Sequence, residues 1–327
     1  MDALLEWGIG VILALQSAPG MAGVMHAFTF GGNEEFFLFI LPVLYWCVDA
    51  SLGMRAAVLL VASNNLNALF KLALHAPRPY WIDLRVAALS RESSYGIPSG
   101  HAMNATAIWG FLASRIGRPW AWAGAVLVTF LISLSRLYLG VHFPTDVLAG
   151  WVLGGALLAA FLAYEPSATA WLKSLTIAKQ LALVCATSLL YWALFGGILA
   201  AIGAAPDPPA WEQNAAIAAP PQPNQPAIDP RNPAGGATGA GMILGLGTAA
   251  VCANWRPTRF QTKGSLGKQG ARIALGLAGI LVFWLGIKLV APAEPFAAAM
   301  VVRYVRYALV LFWVLYLAPW TFMRLRL

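Results

Sequence analysis

Long apolar runs separated by short polar turns fill this chain from end to end, and they narrow what it can fold into. Residues ~36–49, ~55–73, ~97–114, ~119–135, ~143–163, ~170–202, ~238–253, ~273–291 and ~301–320 approach the length a helix needs to cross a bilayer. In hydrocarbon every backbone N–H and C=O must be paired within the protein, which leaves helices and closed barrels. Strand-like alternation is absent, so a helical bundle is favoured over a barrel. Only 10% of the 327 residues are charged, against about a quarter in a soluble domain. The expectation is an all-α, multi-pass integral membrane protein with nine spans.

Residues 4–28 are less apolar, with Glu6, Gln16, Pro19 and His26. Leu4, Leu5, Ile9, Ile12 and Leu13 share one helical face, which suits an interfacial helix. The chain then divides into an N-terminal interfacial segment (1–30), a six-helix core (31–203), a Pro-rich extramembrane loop (204–237) and an extension of three further spans (238–327). The Pro-rich stretch offers no predictable fold. Cys47, Cys185 and Cys252 lack metal-ligand spacing and read as packing residues. The start, Met1-Asp2-Ala3, lacks the basic region of a cleavable signal.

The net charge of +8 has an address. Basic residues collect in the turns at 49–55, 115–118, 164–179 and 254–272 and at Arg324 and Arg326. The positive-inside rule makes that side cytoplasmic, where it would meet anionic lipid headgroups. No basic run interleaves with aromatics, so nucleic acid is not an expected partner. Arg78, Arg85 and Arg91 break the bias on the opposite face, and a substrate anion would account for them.

On that opposite face the topology gathers Lys71, Arg78, Ser99, Gly100, His101, Arg136, His142 and Asp146 from the ends of four spans. Two guanidiniums and an ammonium favour phosphate oxygens. Pro98-Ser99-Gly100-His101 at a helix start adds backbone donors, although Ser99 also reads as an ordinary N-cap. His142 has Asp146 one helical turn away, able to accept from one ring nitrogen and leave the other free to attack. Asp146 also suits a helix N-terminus by charge alone. His101 would protonate the leaving alkoxide and then activate water. No carboxylate cluster suited to Mg²⁺ or Zn²⁺ accompanies these residues, so a metal-independent reaction without cofactor is expected. Asn64, Asn65 and Asn67 suit interhelical hydrogen bonds, and His26 and His75 read as structural, His75 with some chance of touching substrate.

Lys71-x6-Arg78-Pro79, Pro98-Ser99-Gly100-His101 and Ser135-Arg136-x5-His142-x3-Asp146 together resemble the three-part signature of the type 2 phosphatidic acid phosphatase superfamily. Arg78-Pro79-Tyr80-Trp81 is similar to glucose-6-phosphatase. Asn33-Glu34-Glu35-Phe36-Phe37 and Tyr45-Trp46-Cys47 are similar to sphingosine-1-phosphate phosphatases and bacterial lipid phosphatases. The resemblance implies catalysis by the 31–203 core, with His142 as phosphohistidine-forming nucleophile, Asp146 orienting it and His101 as acid and base. Lys71, Arg78, Ser99, Gly100 and Arg136 would bind phosphate.

The leading expectation is a phosphatase of a lipid phosphate or lipid diphosphate, working at the outer face of a bacterial inner membrane toward the periplasm. A soluble sugar-phosphate phosphatase of the glucose-6-phosphatase type is the alternative. A phosphate-lipid transporter or binding protein is the alternative of another class. Expected partners are a phosphorylated lipid or small phosphate ester and the surrounding membrane lipids.

Overall fold

The computed structural model describes residues 3–203, 206–219, 226–255, 260–291 and 296–327. Pro220, Pro221 and Pro223 of the Pro-rich stretch and Arg256 and Arg259 of the basic loop lie outside them. Among the described residues there is helix and no strand. In chain order come α1 (Ala3–Gln16), α2 (Ala22–Phe30), α3 (Glu34–Val43), α4 (Ala50–Leu74), α5 (Pro79–Ile82), α6 (Gly100–Ile116), α7 (Pro119–Tyr138) and α8 (Pro144–Ser174). There follow α9 (Ile177–Ile202), α10 (Pro209–Ala218), α11 (Ala234–Trp255), α12 (Leu266–Leu281), α13 (Ile287–Val290), α14 (Phe296–Phe312) and α15 (Ala318–Arg324).

Seven of the nine expected spans are helices long and apolar enough to cross a membrane. The other two differ for physical reasons. The first becomes a bent pair, α2 with Glu34–Val48, broken at 45° by Gly31-Gly32-Asn33. The third, α6, has only 17 residues, and its Asn104 is paired with Ser63 and Asn64 of α4. The boundary between α8 and α9 falls at 175–176, later than the apolar pattern suggests, because Pro166 is accommodated inside α8. The Pro-rich stretch is not wholly irregular, since its 209–218 portion is the helix α10, opened by Pro209 at a position where the missing N–H costs nothing.

The described residues form two compact units. One comprises Met1–Phe36, Ala62–Leu162 and Ile198–Asn232. Here α6 and α7 make a helical hairpin. Gly117 closes α6 in the left-handed region at φ 67°, and Pro119 opens α7 with its φ already fixed. Gly150 of α8 brings that helix against α6, where a Cβ would lie 2.7 Å from the Ser99 carbonyl oxygen. The asparagine face of α4 meets α6, as its spacing predicts. Ser63 Oγ donates to Asn104 Oδ1 at 2.6 Å, and Asn104 Nδ2 donates to Asn64 Oδ1 at 2.7 Å. Within a membrane such a bond contributes about 0.6 kcal/mol. The apolar face of α1 is turned inward at Ile9 and Ile12, and Gln16 donates to the carbonyls of Ala87 and Tyr138.

The other unit comprises Phe37–Val61, Ala163–Gly197 and Pro233–Leu327. Its centre is the pairing of α11 with α14. A Cβ at Gly245 would lie 2.1 Å from the Ala308 carbonyl oxygen, so only glycine allows that approach. Tyr45 and Trp46 reach the Leu315 and Val314 carbonyls at 2.8 and 2.9 Å. Trp192 stacks on Tyr304 with centroids 5.0 Å apart, and Ser188 Oγ donates to the Ala240 carbonyl.

Candidate active site

All eight residues singled out in the sequence lie in the first unit, at helix ends or in the connections between them. Asp146 sits in the first turn of α8 and His142 just before it. Asp146 Oδ2 accepts from His142 Nδ1 at 3.1 Å and from the Phe143 backbone N–H at 2.9 Å. The carboxylate therefore fixes Nδ1 as the protonated nitrogen and turns Nε2 outward as a lone pair. Arg78 Nη1 faces that Nε2 at 3.3 Å. His142 is held well below the usual histidine range by burial first, and then by Arg78, Lys71 and Arg136. Burial and the neighbouring cations thus favour its neutral form.

Arg78 and Arg136 are almost fully buried. Arg78 is held by the 83–99 connection and the turn before α8. It donates from Nε to the Ser94 carbonyl at 2.6 Å, from Nη1 to the Val141 carbonyl at 2.8 Å, and from Nη2 to the Tyr95 carbonyl at 3.1 Å. Lys71 Nζ donates to the same Tyr95 carbonyl at 2.8 Å and to Ser94 Oγ at 3.0 Å. Gly96 lets this connection lie against the Pro77 carbonyl oxygen and Asp146 Oδ2, which a Cβ there would approach to 2.6 and 3.2 Å. Ser99 occupies the N-cap position of α6 without using its side chain as a cap. Its buried Oγ has no hydrogen-bond partner, and the same holds for Arg136 Nε. Gly100 follows at the helix start, against Asn67.

Three further residues enter the site that sequence reasoning did not select. Glu92 contacts both arginines, through Oε1 to Arg136 Nη2 and through Oε2 to Arg78 Nη2 at 3.7 Å. Burial alone would raise its carboxyl. Arg136 and Arg78 outweigh that and hold it well below the usual carboxylate range. Glu92 thus stands, ionised, where an anionic ligand would meet the two guanidiniums. The available signal was a carboxylate on the connection joining two cation-bearing motifs. The other two come from the N-terminal segment. Thr29 Oγ1 accepts from Arg136 Nη1 at 2.6 Å, and Asn33 Oδ1 lies 2.8 Å from His101 Nε2.

Other charged residues of this face are accounted for elsewhere. Arg85 pairs with Asp83 at 2.6 Å and with Glu6 at 3.0 Å, and Arg91 donates to the Pro226 carbonyl. These pairings account for the two arginines without a substrate anion. His75 is exposed and contacts its own chain at the Ala73 carbonyl.

A buried histidine–carboxylate pair facing guanidiniums and a lysine, on helix ends of a membrane bundle, is an arrangement suited to phosphate esters. Comparison with known proteins agrees. Residues 52–170 match the PAP2 superfamily, and residues 237–327 match the PAP2 superfamily phosphatase transmembrane extension. Glucose-6-phosphatase 3 of Mus musculus is 30% identical over 324 residues, covering 88% of this chain and 87% of its own length. Sphingosine-1-phosphate phosphatase 2 of Mus musculus is 35% identical over 39% of this chain and 38% of its own. Lipid phosphate phosphatase delta of Arabidopsis thaliana is 27% identical over 47% and 41%. The chain belongs to the PAP2 superfamily and is a membrane-bound phosphoric monoester hydrolase. The expectation of a soluble sugar-phosphate enzyme is corrected on one point: whatever its substrate, this enzyme is built of membrane helices.

Proposed function

We propose that the protein hydrolyses a lipid phosphate or lipid diphosphate at the outer membrane face through a phosphohistidine, without a metal ion. The observation that carries this reading is His142, neutral and oriented by Asp146, with Arg78 beside its free nitrogen. The Nε2 lone pair attacks phosphorus, the P–O bond to the leaving group breaks, and His101 gives its proton to the departing oxygen, an alkoxide from a monoester or a lipid monophosphate from a diphosphate. His101 then takes a proton from water, whose oxygen attacks phosphorus and breaks the P–N bond, releasing phosphate. Lys71, Arg78 and Arg136 supply the positive charge for the equatorial oxygens, with Ser99 Oγ and the Gly100 backbone as further donors.

A lipid substrate is favoured by the position of these residues at helix ends, where headgroups lie, and by the similarity to phosphatases named for sphingosine-1-phosphate and lipid phosphate. A sugar phosphate is the second reading, favoured by the glucose-6-phosphatase relative that covers 88% of the chain. The test is phosphate release by purified protein in detergent, with chelator present, from lipid phosphates, isoprenyl diphosphates and sugar phosphates. Acid-labile, base-stable phosphate trapped on His142 is the expected intermediate. Preference for glucose 6-phosphate over every lipid would overturn the lipid reading.

We further propose that the site faces the periplasm of a bacterial inner membrane. Ala215 of α10 is buried, so cysteine labelling from outside belongs at exposed Ile217. Ile217→Cys is expected to react with an impermeant thiol reagent in intact cells, and Gly264→Cys is not. The reverse pattern would invert the topology.

A further inference from the structure

Tyr95 belongs to two networks at once. Its backbone carbonyl accepts from Lys71 Nζ at 2.8 Å and from Arg78 Nη2 at 3.1 Å, inside the cation cage. Its hydroxyl points the other way and lies 2.9 and 3.0 Å from the two Asp207 carboxylate oxygens. Arg231 closes this second network. Its Nε donates to the Tyr95 hydroxyl and to Asp207 Oδ2, each at 3.0 Å, and its Nη2 donates to Asp207 Oδ1 at 2.9 Å. Arg231 Nη1 also holds the Ile202 carbonyl at 3.0 Å, the last residue of α9.

We propose that Asp207 and Arg231 clamp Tyr95 and through its carbonyl fix where Lys71 and Arg78 stand, making the Pro-rich segment a positioning element of the phosphate site. The inference rests on the phosphate-binding role given to those two cations above. Three observations support it. Tyr95 is fully buried, so moving its hydroxyl moves its carbonyl. Burial first, and then Asp207, push its phenol up to about 12, so it stays protonated and donates to the carboxylate while accepting from Arg231. The segment is also attached to this connection and to the preceding α5 at separate points. The Asp229 N–H donates to the Ser93 carbonyl at 3.0 Å, Trp211 packs on Trp81, and Asn214 Nδ2 donates to the Trp81 carbonyl at 3.0 Å. A paired Asp–Arg fork holds a hydroxyl with a directionality that apolar packing lacks.

The experiment uses full-length protein in detergent and inorganic phosphate as probe, with its Kd read by calorimetry beside KM and kcat on a short-chain lipid phosphate. Tyr95→Phe and Asp207→Asn are each expected to weaken phosphate binding about tenfold, and KM likewise, with kcat reduced less than about threefold. The double variant is expected to be no weaker than either single, because both break one link. Asn214→Ala, which loosens the segment away from Tyr95, is expected to leave the phosphate Kd within about twofold. If Tyr95→Phe does not fold, Arg231→Lys is read in its place with the same expected weakening. A folded Tyr95→Phe that binds phosphate like the wild type would overturn the clamp, as would fully additive losses in the double variant. Wild-type protein that binds phosphate but hydrolyses nothing would overturn the proposed function instead, and leave the clamp standing if the variants weaken that binding.

Discussion

Both units of this protein bury arginine among apolar helices, and they use it differently. In the first, Arg78, Arg136 and Lys71 lie close to Glu92 and to the His142–Asp146 pair. In the second, Arg272 is 2% exposed and donates to the Trp46, Thr262 and Leu327 carbonyls, with Phe260 under its guanidinium at 4.7 Å. An unpartnered Nε does not separate the two cases, because Arg136, Arg272 and Arg306 all have one. What separates them is the company. Arg272 ties together three backbone carbonyls from separate segments, whereas Arg78 and Arg136 concentrate like charge in one place, which folding alone would not favour. Concentrated cations with a reactive imidazole mark a site, and a cation dispersed over carbonyls marks a staple.

The most severe test of that contrast is His142→Ala. It is expected to lower turnover by about 10⁴-fold or more while leaving the melting temperature nearly unchanged. Comparable hydrolysis by this variant would remove the mechanism. Next comes a matched pair, Arg136→Lys and Arg272→Lys. The first is expected to reduce kcat/KM about 100-fold through loss of the guanidinium fork, with little change in melting. The second is expected to keep kcat/KM within about threefold and lower stability by on the order of 2 kcal/mol. Equal effects on activity would collapse the distinction between the units.

Glu92→Gln sharpens the comparison further. Removing the resident carboxylate is expected to strengthen inhibition by inorganic phosphate about tenfold, whatever it does to turnover. Unchanged inhibition would mean that Glu92 does not compete for the guanidiniums. The smallest expected effect is on the acid limb of stability. Glu92 titrates lower in the folded protein than in the unfolded chain, where its value is near 4.5. The stability it contributes is present above that value and is lost as pH falls through the folded one. Wild-type melting is therefore expected to drop more steeply than that of Glu92→Gln on acidification below about 4.5. Parallel curves would show that the carboxylate is not held ionised.

The spans and the motif residues were legible because both are local. Apolar length announces α4, α7 and α8, and polar groups at their ends stand out against it. The same reasoning misplaced Arg85 and Arg91, since a charge on a connection does not reveal its partner. Arg85 answers Asp83 and Glu6, and Glu92 beside it enters the site. Thr29 meets Arg136 across 107 positions, and Arg231 meets Tyr95 across 136. No periodicity records a pairing at that range. α6 (Gly100–Ile116) lies close to the expected ~97–114, and what the sequence did not show is that α4 and the N-terminal segment supply the partners of Asn104 and His101 there.

Those two long-range pairings also set an order of events during synthesis. The side chains Thr29 and Asn33 leave the ribosome first and wait while α4 through α7 are threaded into the bilayer. Arg231 arrives only after α9 has been inserted. A nascent chain that has made His142 and Asp146 thus holds the site residues and Thr29, but not Asp207 and Arg231, which the proposed clamp on Tyr95 requires. Truncation before residue 207 is expected to give a membrane-inserted yet poorly phosphate-binding enzyme, so catalytic competence would be acquired late in translation rather than helix by helix.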